Sequence, residues 1–178
     1  NSVLLPPPAE FVIRTRQAYR DGETPLPAYR MTKMAAITSG APWSNFSATL
    51  DRGRVSAGTA KQPETRFLLR FGQLLAVPSP ATQVRVILHV RPGEANQSLQ
   101  LRRLTTDWQI AEVSWNERRW GQPWTTPGGD AEAIRMPCQI STDGPMQVLA
   151  FDVTDWFADW QKHPERNYGV LFQAPNDS

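Results

Sequence analysis

The strongest constraint in this chain is a two-residue alternation that recurs between turn signals. In "TRFLLRF", Phe67, Leu69 and Phe71 fall on one face and Arg66, Leu68 and Arg70 on the other. "VRVILHV" sets Val84, Val86, Leu88 and Val90 against Arg85, Ile87 and His89. Side chains of an extended backbone point to opposite faces in turn, so both segments read as strands with one face in a core. "LQLRRL" predicts a third strand. "MQVLAFDV" and "YGVLFQA" predict two late ones, and their nearly continuous apolar character suits central positions. "VPSPA", "RPGEAN", "TPGGD" and "STDGP" separate them as turns. This spacing predicts an all-β fold, an antiparallel β-sandwich.

One segment departs from the two-residue period. In "FDVTDWFADWQ", Val153, Trp156, Phe157 and Trp160 stand at i, i+3, i+4 and i+7, which is one face of a helix. Thr154 or Asp152 is suited to cap its start, and Pro164 follows its end. Burying four such side chains is worth roughly 6–12 kcal/mol gross, at about 1.5–3 each. A short late helix is therefore expected to draw its stability from packing, as a lid over one end of the sandwich.

The first 30 residues read as a proline-rich arm ahead of a domain spanning 31–178. Within the arm, "EFVIRTR" is a lone strand between proline-rich breaks, with Phe11 and Ile13 on one face and Val12 and Arg14 on the other. A strand needs an edge to pair with. Phe11, Val12, Ile13 and Arg14 either pair within their own domain or add a strand to a neighbouring copy.

Composition narrows the function. A chain of 178 residues with 40% hydrophobic and 20% charged side chains is globular and large enough for one domain. No apolar run approaches the ~20 residues of a membrane span. The start, "NSVLLPPP", lacks the basic and apolar regions of a signal peptide and fits an exported chain after processing. The single Cys138 excludes an internal disulfide and a cysteine-based zinc site, and is expected to be buried or paired between chains. A net charge of +2 does not imply nucleic-acid binding. Basic side chains, nearly all arginine, dominate up to residue 106 and acidic ones thereafter. Either strands from the two parts interleave, or the molecule is electrically polar and able to associate head to tail.

Catalytic signatures are missing. The two histidines, His89 and His163, stand in no metal-ligand spacing, and no nucleophile elbow, phosphate loop or dinucleotide fingerprint occurs. Asp107 with Glu112 or Glu117 is a carboxylate pair of a kind common in β loops. No enzyme and no organic cofactor are expected. Calcium stays open, with Asp107 and Asp130 as oxygen ligands, although no EF-hand spacing is present and Asp130 reads better as a turn residue.

"VSWNERRWGQPWTTPGGD" then poses the main question, because it holds Trp115, Trp120 and Trp124 in a loop of turn-forming residues. One reading makes it a sugar platform. Trp120 and Trp124 would stack on pyranose faces while Arg118, Arg119 and Asn116 meet the hydroxyls. The other makes it a plug, with Trp108, Trp115 and Trp124 folded over the sandwich end near Trp156 and Trp160. A second candidate surface is Arg66, Arg70, Arg85, His89 and Arg102, an anionic-ligand patch if their strands share one solvent face. Asn45, Asn96 and Asn176 each begin an Asn-x-Ser sequon.

Taken in order, "TRFLLRF", "VRVILHV", "TTDWQIAEVSWNERR", "PWTTPGGD", "LAFDVTDWFADWQ" and "NYGVLFQ" resemble the DNRLRE domain. That domain is similar to family 96 carbohydrate-binding modules and related in its ending to the TGF-β propeptide. The resemblance covers about residues 34 to 175. It implies a secreted β-sandwich of jelly-roll type, used in adhesion, matrix or polysaccharide binding. The expected function is thus non-catalytic binding of polysaccharide at a cell surface or in a matrix. The alternative is a self-assembling subunit of an extracellular filament or surface layer, whose partners are other copies of itself.

Overall fold

A computed structural model describes residues 2–5, 10–13, 17–19, 32–47, 53–56, 58, 62–72, 83–90, 99–136 and 138–175. The strands, in chain order, are β1 (Ser2–Leu5), β2 (Glu10–Ile13), β3 (Gln17–Tyr19), β4 (Lys33–Thr38), β5 (Gly53–Ser56), β6 (Thr65–Arg70), β7 (Val84–Val90), β8 (Gln100–Arg103), β9 (Glu117–Arg119), β10 (Gln122–Pro123), β11 (Gln139–Asp143), β12 (Met146–Asp152) and β13 (Val170–Gln173). Helix α1 (Thr154–Lys162) and a 3-10 turn (Pro164–Arg166) lie between β12 and β13. The fold is all-β with one α-helix among the described residues, and every strand pairing is antiparallel.

The strands form two large sheets and a small hairpin. The first sheet runs β1-β5-β6-β13-β8, with β4 also paired along β6. The second runs β11-β12-β7-β2-β3, and β9 with β10 makes the hairpin. The late, acidic part of the chain supplies β13 between β6 and β8, and β12 beside β7, so the two charge classes interleave.

Between the sheets lies the larger core. Phe67 and Leu69 of β6, Leu101 of β8, and Val170 and Phe172 of β13 meet Val84, Val86 and Leu88 of β7 and Leu149 and Phe151 of β12. Phe151 and Phe172 join the layers edge to face at 5.7 Å. The helix enters this same core. Val153 and the predicted face Trp156, Phe157 and Trp160 are all buried in it. The carboxylate of Asp152 accepts the Thr154 amide and hydroxyl, and the Thr154 hydroxyl accepts the Val84 amide, which ties the helix start to β7. Arg103 fastens the helix to the first sheet. Its guanidinium pairs with Asp159 and lies over the Trp160 ring.

The amino-terminal strand expected at "EFVIRTR" is β2, and both of its edges are occupied within the chain, by β3 and by β7. Ser2–Leu5 adds a strand against β5 that the proline-rich sequence did not suggest. Donation of Glu10–Ile13 to another copy would require it to leave β7. Arg14, Pro6 to Pro8 and residues 20–31 lie outside the described residues.

Two predictions follow from the helix and its surroundings. Arg103, by hydrogen bond and charge, holds the Asp159 carboxyl below its ordinary value of 3.8. A carboxyl depressed on folding stabilises the fold fully above the unfolded value, and that stability is lost as pH falls through the folded one. Arg103→Gln should raise the Asp159 pKa towards 3.8 in a carboxyl NMR titration and move acid unfolding to higher pH. Cys138 packs half-buried beside the core, and burial pushes its thiol up to about 11. At pH 8 only about one thiol in a thousand is ionised on that value, so alkylation by iodoacetamide should be far slower than in the urea-unfolded chain.

Candidate binding surface on the tryptophan layer

The first sheet has a second buried face. Because β6 and β13 alternate, Leu68 and Leu171 point away from the inter-sheet core, and a second cluster forms on them with Ala35 and Ile37 of β4. Residues 104–131 cover it, contributing Leu104, Trp108, Val113 and Trp124. Trp108 is fully buried and its indole N–H donates to the Tyr168 carbonyl at 2.8 Å. Trp124 is 4% exposed and donates to the Ser114 carbonyl at 3.0 Å. Both indoles thus bury their apolar area and still satisfy their one polar group. They do not close the sandwich end. Trp156 and Trp160 belong to the inter-sheet core, across the first sheet from Trp108 and Trp124.

Close approach explains the "PGGD" turn. Gly128 and Gly129 have φ of +92° and +106°, a region that side chains avoid. A Cβ on Gly129 would sit 2.8 Å from Leu171 Cδ1, and one on Gly128 would sit 2.8 Å from Arg66 Nη1 and 2.9 Å from Trp115. Asp130 then holds the turn. Its carboxylate accepts the Thr125 and Thr126 amides at 3.0 and 2.8 Å, and the Thr106 hydroxyl at 3.4 Å.

Arginines nail the layer down. Arg66 donates to the Gly128 carbonyl at 2.8 Å, pairs with Glu64 at 2.7 Å and lies over the Trp115 ring. Asp107 bridges Arg70 and Arg119, at 2.9 and 2.5 Å. Arg118 donates to the Asp107 carbonyl and to the Gln122 side chain. Arg102 donates to the carbonyls of Glu132 and Ala131, at 2.6 and 2.9 Å.

The candidate anionic patch is therefore divided. Arg66, Arg70 and Arg102 stand on the layer side of the first sheet, whereas Arg85 and His89 belong to β7 of the second. The condition that the five share one face fails, because their strands are not neighbours. The candidate calcium ligands also have other occupations: Asp107 holds two guanidiniums and Asp130 three turn donors. Among the described residues no three of His, Cys, Asp and Glu gather at one place.

Of the sugar-platform candidates, Trp124 is in the core and Arg119 is engaged with Asp107. Asn116 links loop segments by its backbone, donating to the Pro42 carbonyl and accepting the Trp124 amide. Trp120 is different. It stands at the tip of the β9–β10 hairpin, 74% exposed, with its amide donating to Glu112 at 3.0 Å. Sequence reasoning passed over a second tryptophan of this kind. Trp43 is 70% exposed and sits in "APWSN", a segment pinned to the same layer. Beside it, the Asn45 amide donates to the carbonyls of Ile110 and Val113, at 2.9 and 2.8 Å. The proline, serine and asparagine around Trp43 were its legible signal, since they mark a turn rather than a core strand.

Comparison with family models, with curated proteins and with solved structures finds no match for the chain.

Gly129→Ala should lower the stability of the fold by at least about 2 kcal/mol, since positive φ and overpacking each cost roughly 1–3. Urea denaturation checks this, and an unchanged midpoint would disprove the close contact with Leu171.

Proposed function

We propose that the chain is a non-catalytic, extracellular β-sandwich module of jelly-roll type that binds polysaccharide across the tryptophan layer. The observation that carries this reading is Trp120, a large apolar side chain held 74% exposed on a hairpin whose base is anchored in a core. An isolated exposed apolar residue needs no explanation, but an indole raised on a braced tip presents a flat face for an apolar sugar face. Glu112, Arg118 and Gln122 place hydrogen-bonding groups around that tip. Trp43, on the segment bonded to Asn116, offers a second exposed indole on the same layer. The motifs that resemble the DNRLRE domain support the same reading, as does the lack of catalytic signatures in the sequence.

Affinity electrophoresis through gels containing neutral or acidic polysaccharide tests it. Trp120→Ala should weaken retardation roughly two- to tenfold, the range for about 0.5–1.5 kcal/mol of aromatic contact. Trp43→Ala should weaken it further, with both variants keeping the wild-type near-ultraviolet spectrum of the buried indoles. No retardation by any polysaccharide, or retardation indifferent to both substitutions, would overturn the reading.

A further inference from the structure

The same layer leaves a cleft open over the first sheet. Its volume is about 350 Å³, and it lies between Arg66 and Arg102, which rise from the sheet, and the turn at 125–131. Thr105, Thr125, Thr126 and Asp130 line it together with the arginines. β13 runs between β6 and β8, so the two guanidiniums come from strands two places apart. They converge because the layer above carries the carbonyls of Gly128, Ala131 and Glu132 that orient them.

The two guanidiniums of this cleft differ in their partners. Arg66 has Glu64 as its carboxylate partner. Arg102 bonds to uncharged groups alone among the described residues: the Ala131 and Glu132 carbonyls and, at 3.5 Å, the Gln173 side-chain oxygen. Burial, then the neighbouring Arg66 and Arg135 guanidiniums, lower the Arg102 pKa, the mark of a cation crowded by cations. The Asp130 carboxylate also lines the cleft; accepting two amides and a hydroxyl ties its oxygens to the turn while its charge still offsets one guanidinium. Among the described residues no hydrogen bond involves the hydroxyls of Thr105, Thr125 and Thr126, each a donor that a ligand can use.

We propose that this cleft is an oxyanion site that takes the sulfate ester of a sulfated polysaccharide. A planar carboxylate is served by one guanidinium in a fork. Here two guanidiniums from different strands and three threonines line one cleft, a donor set that suits a tetrahedral group with oxygens in several directions better than a planar one. The volume exceeds what a bare ion fills and is at the low end of small-ligand sites, leaving room for the sugar residue that carries the ester. That the ester arrives on a polysaccharide rests on the function proposed above; the affinity for an oxyanion does not.

Isothermal titration of the whole chain with sodium sulfate, against sodium chloride at equal ionic strength, reads the site directly. Saturable binding is expected, weakened roughly tenfold or more in Arg102→Gln, as for loss of a charge-assisted bond. Thr126→Val should weaken it about threefold. Among the described residues the Thr126 hydroxyl makes no hydrogen bond, so that variant keeps the test valid if Arg102→Gln is unstable. Arg85→Gln, on the other sheet, should bind as wild type does. In gels, dextran sulfate should retard the wild type more than Arg102→Gln, and unmodified dextran should not distinguish them. Absence of saturable sulfate binding, or equal binding by wild type, Arg102→Gln and Thr126→Val, overturns the site. Sulfate binding without selective retardation by dextran sulfate overturns its assignment to a polysaccharide ester while leaving Trp120 to its own test.

Discussion

The arrangement depends on burial of both faces of β6 and β13. Phe67, Leu69, Val170 and Phe172 require a layer on one side, and Leu68 and Leu171 require one on the other. The second sheet and α1 supply the first layer. A segment with little regular structure supplies the other, and that is the harder task, because irregular backbone must find partners for its own polar groups when it covers apolar surface. Residues 104–131 solve this with local pairs, such as Gly128 N–H to the Trp115 carbonyl and Thr105 N–H to the Asp130 carbonyl, together with the indole and guanidinium donors that cross between segments.

This division of labour separates structural from exposed tryptophans. Trp108 and Trp124 fill the second core, Trp156 and Trp160 the first, and Trp115 lies under Arg66. Trp43 and Trp120 are left facing solvent on segments fixed by those buried relatives. A binding surface gains from such bracing, since little conformational freedom remains to be lost when a ligand settles on it.

Much of the scaffold was legible because its signals are local. Alternation in "VRVILHV" matches the burial of Val84, Val86 and Leu88, and the helical face of Val153, Trp156, Phe157 and Trp160 is buried as its spacing requires. The second core was not legible, because Arg66 and Arg70 write a solvent face into "TRFLLRF" while actually meeting a carbonyl, an indole and a carboxylate of a distant loop. An arginine can lay its stem along apolar surface and keep its head bonded, so sequence alternation alone does not tell water from a polar layer. For the same reason the five-residue basic patch divided between sheets: strand order is set by long-range pairing, to which the local pattern is blind.

The clamp on Asn45 has a consequence for biosynthesis. Its amide nitrogen donates both hydrogens, to Ile110 and Val113, and so holds the Trp43 segment against the layer. An oligosaccharyltransferase acting on the "NFS" acceptor would replace one of those hydrogens with a glycan inside a packed contact. Folding and modification therefore compete for one atom. Were the chain exported by a cell that glycosylates asparagine, whichever came first would decide whether this edge of the molecule closes.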